Sequence, residues 1–258
     1  MRSPAVRSVF VTACLALILA LAACGGEEGS APRADAGGHG PTAQLWVTHD
    51  RGQKVVVDAT VPAGLNAIQA LDQHAKIETR YGGRFVQAIE GVEGGVERGR
   101  DWFYFLNGIE ADLGGAEVTV RAGDIVWWDF RSWRDEMRRP VVVGAFPEPF
   151  LHGWDGTRRP AEVRGPPELE AQARALLERL GGARGEGEPN VFELRVEPGV
   201  EGATLTAKRG ERNDSPVVFT LAGSPAAVEA VAAALVTSPE LLRFRYEARF
   251  DDEGRIVE

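Results

Sequence analysis

Residues 101–108 read DWFYFLNG, and this stretch constrains the chain more than any other. Five large apolar side chains, Trp102 to Leu106, stand side by side and end in the pair Asn107-Gly108. Successive side chains of a strand leave opposite faces. Trp102, Tyr104 and Leu106 therefore share one face, and Phe103 and Phe105 share the other. A strand with one wet face alternates apolar and polar residues, and this one does not. Any fold that contains it must cover it twice. A helix can cover one face; the second cover is either more protein or a ligand.

The neighbouring sequence supplies the rest of a sheet. "AQLWVTHD" and "QKVVVDATV", joined by "RG", read as a β-hairpin. In "GLNAIQALDQHA", Leu65, Ile68, Leu71 and Ala75 recur at helical spacing and predict a short amphipathic helix of about three turns. "GRFVQAIEGV" and "DWFYFLNG" follow as strands, the latter closed by the strong turn pair Asn107-Gly108. "GAEVTVRAGDIVWWDF" gives the last strands around the turn Ala122-Gly123-Asp124. The order ββαβββ predicts a sheet gripping one helix on one face. Five of the six tryptophans fall in this segment.

The succession "GLNAIQAL", "FVQAIEGVEGG", "WFYFLNGIEA" and "VRAGDIVWWDF" resembles a bacterial family of domains of unknown function over residues 45–133. That family is related to the cobalamin-contacting C-terminal domain of transcobalamin and intrinsic factor. The resemblance implies a β-grasp fold for residues 44–138 and an extracytoplasmic ligand-binding module, with cobalamin as a candidate ligand. The large helical barrel that completes the transcobalamin site has no counterpart in this sequence.

Residues 139–258 read as a second, small α+β domain, with two helices on a mainly antiparallel sheet. "RPVVVGAFPEPFLHG" opens it with a short apolar strand and a Pro-rich loop. "PPELEAQARALLERLGG" is a helix with Leu169, Ala173, Leu176, Leu177 and Leu180 on one face and Gly181 at its end. "NVFELRVEP" alternates cleanly, "ATLTAKRG" is a further strand, and "PVVFTLAG", apolar on both faces, reads as a central strand. Ser224 caps a helix over "PAAVEAVAAALV", and "RFRYEARF" turns Phe244, Tyr246, Ala248 and Phe250 inward. The loop "VVGAFPEPFLHG" resembles tails of bacterial relatives linked to vitamin-uptake transporters of the energy-coupling type, which implies such a transporter as a partner.

The start of the chain bears on location. Arg2 and Arg7 precede an apolar run, Val9 to Ala23, too short to span a membrane comfortably. The run ends "LAAC", the pattern of a bacterial lipobox, in which a peptidase cuts before a cysteine that carries lipid, palmitate included. Residues 1–23 are thus read as a signal peptide and Cys24 as the lipid attachment site. Residues 24–43, rich in Gly, Ala and Pro, read as a flexible tether. Lipid on Cys24 would hold the protein on a membrane of the bacterial cell envelope, facing out of the cytoplasm. Cys14 leaves with the signal, so the mature chain has no thiol for a disulfide or a zinc-cysteine site. It would carry 27 basic and 38 acidic residues, a net charge of −11. Such a surface argues against nucleic acid.

Catalytic patterns are missing from the sequence. His39, His49, His74 and His152 show no metal-ligand spacing and read as solvated side chains. There is no Gly-x-Ser-x-Gly elbow and no phosphate loop. "DDEG" after Phe250 reads as a hairpin turn and not a calcium loop. The expectation is a binding protein and not an enzyme, with no metal and no resident cofactor. Its candidate ligand-binding residues are Trp102, Tyr104, Trp127 and Trp128 as flat platforms for a planar ring system. Asn107 and Gly108 would supply amide and backbone groups at the rim. The alternative is a surface module whose aromatics dock another protein without a small ligand.

Overall fold

The computed structural model describes residues 40–134 and 136–257. The expected signal peptide, Cys24, His39 and residues 24–39 of the tether lie outside the described residues; Thr42 and Ala43, expected in the tether, already belong to the first strand, where Ala43 is buried. The first sheet contains β1 (Thr42–His49) and β2 (Lys54–Pro62), an antiparallel hairpin. Asn66 then caps α1 (Ala67–Asp72): its side chain accepts from Gln69 N, and the Gln69 side chain accepts from Asn66 N. That capping box fixes the helix start, and the helix is half the length that its apolar spacing predicts. Beyond it lie the small antiparallel strands β3 (Ile77–Arg80), β4 (Phe85–Ile89) and β5 (Val92–Glu93). β6 (Arg100–Leu106) and β7 (Ile109–Glu110) form a hairpin through Asn107 and Gly108, both at positive φ, as a type I′ turn requires. β8 (Ile125–Ser132) completes the sheet in the order β2-β1-β8-β6-β7, with β8 parallel to β1 and antiparallel to β6. Residues 117–120, expected as a strand, make only one bridge, Asn66 to Thr119, while their backbone bonds to the turn before α1.

β9 (Ala161–Arg164) leads to α2 (Glu170–Arg179), and β10 (Asn190–Val196), β11 (Ala203–Arg209) and β12 (Val217–Gly223) follow. α3 (Pro225–Thr237), β13 (Ala248–Phe250) and β14 (Ile256–Val257) end the chain. The second sheet runs β14-β13-β11-β12-β10-β9. β12 is interior, as its composition predicts. The sheet is more mixed than expected, because β9, β10 and β12 are mutually parallel. β9 is short and half polar, so the β9-α2-β10 crossover left little trace in the sequence. α2 and α3 bury Leu176, Val228, Val231 and Leu235 against Phe192, Phe219 and Leu221. The architecture is mixed α+β, mostly sheet with few helices.

Both faces of β6 are covered by protein. Trp102, Tyr104 and Leu106 pack with Trp128, Phe130, Ile68 and Leu71, so α1 covers that face. On the other face Phe105 and Trp127 pack with Trp46, Val142 and Tyr246. The second cover is therefore protein. It comes from the segment 141–150 and from residues 244–246, not from a regular element. The apolar run Val141–Ala145, expected as a strand, is a short 3-10 turn over Val143–Ala145 wedged between the sheets. Likewise only Ala248–Phe250 of "RFRYEARF" is strand; Phe244 takes a positive φ and turns the chain into the seam. At that seam the hairpin tip presses Gly52, at φ 85°, against the carbonyl of Phe244, where a Cβ would overlap the oxygen.

Candidate functional site

The sequence-derived platform residues separate by face. Exposure is 6% for Trp102, 8% for Tyr104, 4% for Trp128 and 0% for Trp127. Trp127 is sealed in the seam, where its indole N–H donates to Thr48 Oγ1 at 2.7 Å. It is a core residue and faces no ligand, because the second sheet's loops close over it. Asn107 and Gly108 form no rim either. The Asn107 amide donates to Asp124 Oδ1 at 2.7 Å and to Gly153 O at 2.5 Å, and its carbonyl accepts from Ile125 N at 2.8 Å. A Cβ on Gly108 would meet Val142 O at 3.0 Å. The turn is a buried clasp on the second segment.

Trp102, Tyr104 and Trp128 are packed in the core but keep edges on a cavity of about 410 Å3. Tyr104 and Trp128 stack with centroids 4.7 Å apart. Tyr104 is pinned: its hydroxyl donates to Leu113 O at 2.6 Å, and burial, with Glu117 and Asp112 nearby, pushes its pKa up. The Trp102 indole donates to Val92 O at 2.8 Å. The Trp128 indole N–H has no partner among the described residues. A buried donor of this kind is a cost unless something accepts from it. The remaining wall is the strip Glu110–Gly115, with Arg84, Asp101 and Arg138 charged around it. Burial raises the pKa of Asp101 despite the hydrogen bond from Trp102 N.

The same strip has a second cavity on its far side, about 230 Å3, lined by Leu106, Ile109, Leu113, Val118 and Trp154 with Asp155 and Asp214 at its edge. Glu110, Ala111, Asp112 and Leu113 belong to both cavities. Glu110 anchors the strip through a buried ion pair with Arg131 at 3.1 Å and accepts from Arg139 N at 2.6 Å. Arg131 in turn lies 3.8 Å over the Phe103 ring. Leu113, 57% exposed, sits on top. Two cavities with aromatic walls and mixed charge thus flank one strip of chain, and cavities of this make-up suit a flat apolar body with a polar edge.

Sequence reasoning missed the strip and Trp154. Asp112 and Leu113 sit in an irregular segment with no period. Trp154 was visible as the one tryptophan of the second segment but nothing tied it to the first. Of the histidines, His74 is exposed as expected. His49 is half-buried with its ring 5.4 Å from Trp102, and burial followed by Lys54 lowers its pKa. His152 is exposed yet bonded through Nδ1 to the buried Glu148 at 2.6 Å. Among the described residues no group of three or more His, Asp or Glu could hold a metal ion. No helix among them is long and apolar enough to cross a membrane.

Fold and site define a mixed α+β protein with an aromatic-walled cavity built mainly from one stretch of chain. Residues 64–132 match the family model of a domain of unknown function, DUF4430. The match holds α1, β6 and β8 and, Arg138 apart, every residue of the 410 Å3 cavity. The β1–β2 hairpin and Trp154 lie outside it. No curated protein matches the chain.

Proposed function

We propose that this protein is a lipid-anchored, extracytoplasmic binding lipoprotein of a bacterial cell envelope, which captures a small planar ligand and passes it to an uptake transporter. The observation that carries the reading is the pair of cavities sharing the strip Glu110–Leu113, with the edges of Trp102, Tyr104, Trp128 and Trp154 in their walls. The 410 Å3 chamber falls in the range of small-molecule sites. It encloses one fused ring system and not a whole corrin, so a cobalamin-like ligand would seat one edge there. The anchor reading rests on "LAAC" and Cys24. The strand order β2-β1-β8-β6, with the central pair β1 and β8 parallel and α1 on one face, supports a β-grasp assignment. Together with the motifs around Trp102 and Trp128, it also supports kinship with the transcobalamin C-terminal domain.

The test is extraction of the protein from its own host, followed by mass and absorbance measurement. The expected result is a lipid-modified Cys24 at the N-terminus and a stoichiometric aromatic or macrocyclic compound that Leu113→Ala and Trp154→Ala variants fail to retain. A chain that starts elsewhere without lipid would overturn the anchor. Ligand-free wild-type protein, or equal retention by both variants, would overturn the ligand site.

A further inference from the structure

A larger cavity, about 730 Å3, lies away from both of these, where the tip of the β1–β2 hairpin meets residues 243–247. Arg51, Arg243 and Arg245 belong to its lining, against one acid, Glu247. This concentration of cations stands out in a chain with 38 acidic and 29 basic residues. Two of the guanidinium groups are held in place. Arg51 pairs with Glu136 at 2.8 Å and lies 4.6 Å over the Tyr246 ring. Arg243 pairs with Asp58 at 2.6 Å and lies 4.9 Å over the Trp46 ring. Glu247, still in the lining, pairs with Arg139 at 3.1 Å, which offsets its charge. Arg245 remains: among the described residues no carboxylate pairs with it, so the terminal nitrogens of its guanidinium are the donors left for a ligand, its Nε being buried, as that of Arg243 is.

Each paired arginine uses only part of its five-donor fork. Donors already fixed by ion pairs and aromatic faces bind at a smaller cost in side-chain entropy. Planar forks recognise oxyanions through two parallel bonds. Val55 and Phe244 add apolar surface beside the charges.

We propose that this cleft is a second binding site, which takes the doubly charged oxyanion of a small molecule, with Arg245 as the principal donor and Arg51 and Arg243 flanking it. The ligand chemistry is a phosphate or a dicarboxylate, and two probes separate them. Calorimetric titration at low ionic strength is run with inorganic phosphate and with succinate. Saturable one-site binding of at least one probe is expected, and its identity assigns the anion. Arg245→Gln and Arg51→Gln should each weaken it about tenfold, and Arg245→Lys by less, since the charge stays and the fork is lost. Arg249→Gln, which changes an exposed arginine outside the cleft, should bind as wild type. Should Arg245→Gln fail to fold, Arg51→Gln carries the test, because that side chain is 41% exposed. No saturation with either probe, or equal weakening in Arg249→Gln, overturns the site.

Discussion

Asp129 is wholly buried in β8 and gathers four donors. Thr48 Oγ1 and Gly52 N donate to Oδ1 at 2.5 and 3.2 Å, and Tyr246 OH and Arg51 N donate to Oδ2 at 2.9 and 3.0 Å. Thr48 itself already accepts from Trp127. Asp129→Asn keeps the shape and replaces one acceptor atom with NH2. Placed at Oδ2, the new group can be accepted by the Tyr246 hydroxyl after rotation, but Arg51 N loses its acceptor. Placed at Oδ1, it strands Gly52 N instead. Either orientation leaves a part-buried backbone N–H unpaired, which costs about 1 kcal/mol, and downgrades the remaining bonds to neutral strength. The sum is a loss of about 2–4 kcal/mol, one stranded donor plus the weakening of bonds that had a charged acceptor. Tyr246→Phe removes one hydroxyl and keeps the ring on Phe105 and Trp127, both 5.5 Å away between centroids, so about 1.5–3 kcal/mol is expected. Urea unfolding with a constant slope measures both. A drop below about 1 kcal/mol for Asp129→Asn would refute the account of four donors on one carboxylate.

Three further outcomes follow from other contacts. Trp128→Ala should cost about 3–5 kcal/mol of stability, whereas Leu113→Ala should shift it by no more than about 0.5 kcal/mol; thermal melts of the two variants check the contrast. The hydrogen bond to Glu148 raises the His152 pKa above 6.5, outweighing burial. The stabilisation it gives is fully present below pH 6.5 and fades as pH rises through the higher folded-state value. His152→Gln should therefore lose stability on the acid side of that window and match wild type on the alkaline side; parallel unfolding curves across the window would contradict this. Residues 44–138 expressed alone should expose Trp46, Phe105 and Trp127, and light scattering should register self-association that Phe105→Ser relieves.

Much of the first sheet was legible because its strands alternate or carry strong turn chemistry. Asn107-Gly108 announced the β6–β7 hairpin, and the spacing of Ile68 and Leu71 announced the helix face that meets Trp102 and Tyr104. The cover on Phe105 and Trp127 was not legible. It is built from Val142 and Tyr246 in irregular chain, where burial leaves no period to read. One clue was present: a lone acid in "VWWDF" had to find donors once its neighbours were buried, and Asp129 is that acid. The candidate site was half visible. Its aromatic edges stand in β6 and β8, but the strip Glu110–Leu113 and Trp154 come together only through the fold, and Trp127, Asn107 and Gly108 face the seam instead.

Hairpin tips are the usual places to insert a tag or a label, because they end in water. The β1–β2 tip is closed to this use. With Gly52 seated on the Phe244 carbonyl, any added residue there would have to displace the C-terminal segment as well. The permissive site is the β3–β4 turn, where Tyr81 is 79% exposed and a Cβ on Gly82 or Gly83 would meet nothing within 4 Å. A fluorophore placed there would leave the seam untouched.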